Sequence, residues 1–397
     1  ILTFAYPNII STSKSTLYVS SLIIIISISI FSEYFFGMIY TIFLQANQET
    51  YIISIIQIGT YIFAILAALF MARIEVSVHI LKLSISLIFV LRPVLQSIYV
   101  KRKYNINLQR ANKNYVIKNK WDGLAQHIAY VVHSNTDITV LTLFSTLKEV
   151  SVYSVYMLVV KGIKALISAF SSGLDASFGD MISKKEDDNL RNKFEIYEII
   201  YLMICTVLFA CTVVLIVPFV KIYTKNINDA NYVRPLFGIL LVISECIWAI
   251  RLPYLTLTYA AGHFKETRNG AWLECILNLI ISVFLVKKLG LVGVTIGTII
   301  AMTIRTTEFI YHANSKILKV NIYKSFKKIG LLIFIIFLTF ISANKIFILD
   351  NISYLNWMVN AMMIFLYSSV LTFLFYFIFY RKNFRQILRI VNSIFKR

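Results

Sequence analysis

The chain has 397 residues, 58% of them hydrophobic and only 15% charged, with a mean hydropathy of +0.75. Soluble domains average about 25% charged residues, so a soluble globular protein is excluded. The formal net charge of +20 invites a nucleic-acid partner, but most Lys and Arg fall in a few short stretches between apolar runs, the pattern of membrane topology.

Thirteen Gly, five Pro and the lack of a Gly-rich loop ending in Gly-Lys-Ser or Gly-Lys-Thr argue against an ATP-hydrolysing domain. The cysteines, Cys205, Cys211, Cys246 and Cys275, all lie in apolar segments without a C-x-x-C pair, and read as reduced, small apolar side chains. The histidines lack metal-like partners, so neither a metal site nor a cofactor is expected.

Eleven apolar segments are long enough to span a bilayer: 17–44, 50–70, 77–100, 126–146, 150–178, 196–222, 233–260, 269–287, 291–313, 328–348 and 355–380. The fold class expected is an all-α polytopic membrane protein. Alternation of the spans places connections with 24 Lys and Arg on one side and connections with 7 on the other. The positive-inside rule then puts 101–120 and the C-terminus in the cytoplasm and residues 1–16 outside.

Sliding the chain by 215 residues lays spans 17–44, 50–70 and 77–100 over 233–260, 269–287 and 291–313 in the same orientation, as in parallel repeats. The same shift maps 126–146, 150–178 and 196–222 to positions before residue 8. With Ile1 in place of Met, this reads as an N-terminal truncation lacking about three helices, with Ile1–Tyr6 ending the third. The expected organisation is a partial N-terminal lobe (1–100), a basic cytoplasmic linker (101–125), a six-helix C-terminal lobe (126–313), and an extra helix pair with a basic cytoplasmic tail (314–397). The intact molecule would then have 14 helices, of which 11 are present.

Charges inside these spans mark the candidate site. Within 150–178, Lys161, Lys164, Ser168, Ser171 and Asp175 recur at spacings of 3 and 4, which places them on one face of a helix. At about 1.5 Å per residue, Lys161 and Lys164 lie about 16–21 Å along it, deep in the bilayer. A charge there costs at least about 2.5–3.5 kcal/mol unless it faces a bundle interior or a watery cavity.

Other spans add polar stripes: Ser244, Trp248, Arg251 and Thr258; Thr298, Arg305, Glu308 and His312; Glu274 with Asn278; and His127, Ser134 and Asp137. Arg92 precedes Pro93 on another. Converging, Arg92, Lys164, Arg251 and Arg305 would hold a multiply charged anion, Arg offering forked donors to phosphate oxygens. Lys161 extends that set. Asp137, Asp175 and Glu274 would balance the field or carry a coupling proton or cation. Arg305 and Glu308, three residues apart, can instead neutralise each other.

The sequence resembles the polysaccharide biosynthesis/export proteins, the oligosaccharide-lipid flippase branch of the superfamily that includes the MATE multidrug exporters. The resemblance runs over nearly the whole chain and is strongest in SNTDITVLTLFSTLKEVSVYSVYMLVVKGIK (134–164), then in FGDMI (178–182), IFLQANQETYI (42–52) and TYAAGHFKET (258–267). It implies a MATE-like two-lobe bundle of fourteen helices in the bacterial cytoplasmic membrane. The implied activity is not enzymatic: it is translocation of a polyprenyl-diphosphate-linked oligosaccharide for capsule, O-antigen or similar polymers, with the last helix pair helping to hold the lipid tail. The implied partners are that lipid, membrane lipids, and a polysaccharide polymerase with its chain-length regulator. Lys161, Lys164 and Asp137 match positions in the 134–164 block. A drug/cation antiporter on the same fold is the alternative.

Overall fold

The computed structural model describes residues 15–104, 120–171, 174–346 and 353–384, and all regular structure among them is helical. The chain divides into two units, Ile1–Val116 and Ile117–Arg397. Ten helical segments among the described residues are long and apolar enough to cross a bilayer.

The first unit holds three long helices: α1 (Thr16–Ala46), α2 (Thr50–Arg73) and α3 (Val78–Lys103). Ser15 and Ser77 begin α1 and α3, each hydroxyl accepting from the backbone amide three residues on, which satisfies one orphan donor of the first turn. A π-helical turn at Glu33–Gly37 interrupts α1. Gly37 faces Pro93 of α3, where an added Cβ would stand 3.2 Å from the proline ring. Below it, Leu44, Ile53 and Val100 form a small apolar core. Glu49, between α1 and α2, pairs with Lys103, and that hydrogen bond holds its carboxyl below the usual carboxylate range.

The second unit contains α4 (Lys120–Phe144), α5 (Leu147–Ser171), α6 (Leu174–Ser183), α7 (Asp187–Tyr223), α8 (Pro235–Ala260), α9 (Phe264–Leu289), α10 (Leu291–His312), α11 (Tyr323–Ile346) and α12 (Tyr354–Phe379). Helix α7 is the axis of the unit. Its apolar length is mostly buried, and α5, α8, α11 and α12 pack on it. It starts nine residues before the apolar run, with Asp187 and Asp188 in a first turn whose dipole favours acids.

Helices α9 and α10 are joined at Gly290, whose φ of +54° suits a residue without a Cβ. They then run in close apposition. An added Cβ at Gly297 would lie 2.5 Å from Ser282 Oγ, and one at Gly293 2.5 Å from the Leu285 carbonyl oxygen. Small residues permit this approach where apolar association alone gives little drive.

Helix α4 forms where the sequence places a span, but with His133, Asn135 and Asp137 in it, it is not among the ten most apolar segments. The continuity expected across 150–178 passes through residues 172–173, which lie outside the described residues. So do Ile1–Tyr6, most of the basic stretch 101–120, and most of the C-terminal tail.

Candidate functional site

Four helices of the second unit bring charge together in its interior. Arg251 enters from α8, Glu274 from α9, Arg305 from α10 and His133 from α4, and all four are buried. Arg251 Nη1 donates to Glu274 Oε1 at 2.7 Å, while Arg305 Nε lies 3.9 Å from Glu274 Oε2. Arg305 is held from its other side: Nη1 donates to Glu308 Oε2 at 2.6 Å and to the Thr267 carbonyl at 2.7 Å. Its guanidinium also stacks 4.2 Å over the Phe309 ring. The absence of a side chain at Gly270 makes room for the Arg305–Glu308 pair, which an added Cβ would strike.

Gln126 ties α4 into this cluster. Its amide donates to Thr267 Oγ1 at 2.9 Å and the Phe264 carbonyl at 2.6 Å, and its oxygen accepts from Tyr259 at 2.8 Å. Beside the cluster lies a cavity of about 380 Å³, lined by Arg251, Glu274 and Arg305 together with the rings of Trp248, Tyr130, Tyr259, Phe264 and Phe309. Guanidinium groups beside aromatic faces offer two chemistries at once, forked donors for oxyanions and flat apolar surfaces for rings.

One turn along α9 from Glu274, a second polar cluster gathers round Asp137. Thr298 Oγ1 donates to Asp137 Oδ1 at 2.8 Å and Tyr153 OH to Oδ2 at 3.2 Å, while Asn278 Nδ2 donates to Thr298 Oγ1 at 2.8 Å. Asn278 Oδ1 is buried without a hydrogen bond. Among the described residues no Lys, Arg or His lies within ion-pair distance of Asp137.

Lys164 forms an ion pair with Glu245 Oε2 at 2.8 Å and sits 4.2 Å over the Trp248 ring. Helix α8 thus presents Glu245, Trp248 and Arg251 in succession along one side.

The structure sorts the residues that the sequence singled out. Arg251, Arg305 and Glu274 meet at one point, and Asp137 and Lys164 lie in adjoining clusters. Lys161 is exposed, away from the buried clusters, and so is Asp175, in the first turn of α6. Of the α5 stripe, Ser168 is exposed and Ser171 is buried, bonded to Tyr197 OH at 2.9 Å.

On α4 the stripe is corrected by one residue. Gln126, His133 and Asp137 face inward, whereas His127 and Ser134 are exposed. Arg251, Arg305 and Lys164 each lie beside a carboxylate, and the Arg305–Glu308 pairing is the one their three-residue spacing allows. Arg92 belongs to the first unit. There it is buried between the rings of Tyr61 and Phe89, its Nε donates to Thr60 Oγ1 at 2.9 Å, and Glu33 stands 3.8 Å from Nη1.

Glu245, Gln126, His133 and the buried pair of Glu198 with Lys328 do not stand out from spacing within a single span, because their partners lie on other helices. Glu245, a lone acid in the apolar run ILLVISECIWAI, was open to discovery, since an acid inside a span signals a partner.

No protein-family model matches the chain, and no curated protein matches it in sequence. Among solved structures it is similar to the lipid II flippase MurJ in its inward closed conformation. The likeness has a TM-score of 0.63 and 13% sequence identity, and covers 94% of this chain and 79% of that one. The two share a fold. The chain is an all-α, multi-pass membrane protein whose helices follow the course of those in that structure.

Proposed function

We propose that the protein is a transporter rather than an enzyme. In this reading it is a flippase that carries a polyprenyl-diphosphate-linked oligosaccharide across the bacterial cytoplasmic membrane by alternating access, for assembly of a surface polysaccharide such as capsule or O-antigen. The observation that carries the reading is the convergence of Arg251 and Arg305 on an aromatic-lined cavity inside the second unit. The guanidinium groups suit a diphosphate, and the rings of Trp248, Tyr130 and Tyr259 suit sugar faces. The likeness to a lipid II flippase supports a lipid-linked cargo. Lys164 serves the entry of the anion from the neighbouring ion pair. Lys161 and Asp175 contribute at the exposed approach. A polysaccharide polymerase and its chain-length regulator would receive the product, and the basic C-terminus faces the cytoplasm.

Asp137 carries the coupling proton or cation. It is a buried carboxylate with neutral partners, next to an unpaired carboxamide oxygen. Deletion of the gene is expected to abolish surface polymer and leave lipid-linked units facing the cytoplasm. Normal surface polymer in the deletion strain would remove the reading.

The matching of each cation in the clusters with a carboxylate favours one alternative, a MATE-type drug/cation antiporter, in which Asp137 and Glu274 receive the cation. Ethidium efflux abolished by Asp137→Asn, with surface polymer untouched, would select it.

A further inference from the structure

We propose that Glu274 is a displaceable counterion. Its carboxylate holds the place between Arg251 and Arg305 until the anionic group of the cargo takes it, and then turns towards His133. The proposal rests on the reading of the cavity as an anion site and adds to it how the empty site is kept and how it is vacated.

Nitrogen groups from three helices are aimed at one carboxylate. Arg251 Nη1 on α8 is 2.7 Å from Oε1, Arg305 Nε on α10 is 3.9 Å from Oε2, and His133 Nε2 on α4 is 3.7 Å from Oε1. Only the first is a hydrogen bond by distance. The hold of Arg305 on Glu274 is loose because Glu308 and the Thr267 carbonyl already fix its guanidinium, which therefore stays in place when the carboxylate leaves.

The other end of the movement is also prepared. His133 is buried, its Nδ1 has no hydrogen bond, and its Nε2 stands 3.7 Å from Glu274 Oε1, beyond hydrogen-bond reach. Buried polar groups are almost always partnered, so an imidazole left short of its neighbour marks a place the carboxylate can occupy. A modest side-chain rotation would bring Glu274 into hydrogen-bond range of His133 and open the gap between the arginines to the cavity, which Glu274 also lines.

The charges require such an arrangement. Two buried guanidinium groups side by side repel without an anion between them, so the empty transporter needs Glu274 there. A diphosphate brings more charge and more acceptor oxygens than one carboxylate, and replaces it with forked hydrogen bonds to both arginines.

The test is binding of inorganic pyrophosphate by the full chain in lipid nanodiscs. Glu274→Gln, which removes the competing charge, is expected to tighten binding on the order of tenfold. His133→Phe, which removes the place the carboxylate moves to, is expected to weaken it severalfold, and Arg251→Gln to abolish it. If Glu274→Gln does not fold, Glu274→Asp, whose shorter side chain draws back from the arginines, is expected to tighten binding in the same direction.

Binding in the wild type that needs Arg251 but is unchanged or weakened by both Glu274 variants would overturn the displacement and leave the anion site standing. The lack of any binding dependent on Arg251 would overturn the anion site, and the displacement with it.

Discussion

Two buried charge clusters in the same unit make an instructive contrast. At the first, Arg251, Glu274 and Arg305 border a cavity of about 380 Å³ with aromatic walls. At the second, Lys328 Nζ donates to Glu198 Oε2 at 2.6 Å and Tyr254 OH to Glu198 Oε1 at 2.5 Å, beside a space of only about 40 Å³. Both side chains of the Glu198–Lys328 pair are 3% exposed. The ingredients are alike, but the second cluster is closed: each carboxylate oxygen has its own donor, and no room remains for a ligand. It fastens α11 to α7 and α8. The first has loose distances, an imidazole short of a partner, and a space beside it. Burial of charge therefore does not identify a binding site. Incomplete pairing next to a cavity does.

The contrast can be broken by substitution. The largest effect is expected for Lys328→Ala, which leaves the buried Glu198 carboxylate without its cation and should cost about 3–5 kcal/mol in a denaturation measurement. The double variant Glu198→Gln, Lys328→Met should recover most of it. A loss below about 1 kcal/mol for the single variant would deny the pair its structural role.

Arg251→Gln should cost less than Lys328→Ala, because the stranded Glu274 keeps Arg305 as a neighbour and faces the cavity; equal losses would erase the distinction between the clusters. Tyr254→Phe removes one hydrogen bond to a charged acceptor and should cost about 1.5–3 kcal/mol. The smallest effect is expected for Arg268→Gln. It breaks a 2.6 Å pair with Asp122 whose arginine is 42% exposed, and should cost about 0–1 kcal/mol.

Much of the fold was legible because lipid imposes a simple rule: long apolar runs must close their backbone hydrogen bonds within helices. The helical stripes were legible for the same geometric reason. Glu274 with Asn278, and Thr298 with Arg305, share faces by spacing, and they line the clusters described above.

What periodicity cannot supply is the partner across the gap. Glu245 reaches Lys164, and Glu198 reaches Lys328, 130 residues away in sequence. These pairings depend on the close approach of whole helices, which single-helix spacing does not encode. The stripe on α4 was set one residue off because Asp137 shares its face with both His133 and Ser134 within the tolerance of a 3.6-residue period, and packing against α9 selects His133. Lys161 and Lys164 likewise have the same depth and spacing, yet only Lys164 meets an acid from α8.

The central claim is that Arg251 and Arg305 hold the diphosphate of a lipid-linked saccharide during its passage. The most direct measurement is translocation of a fluorescent polyprenyl-diphosphate disaccharide in proteoliposomes, read by its accessibility to a quencher that cannot cross the bilayer. The account predicts translocation by the wild type, its loss in Arg251→Gln and Arg305→Gln, and no translocation of the same saccharide on an uncharged lipid. Undiminished translocation by the double arginine variant, or equal handling of the uncharged lipid, would contradict it.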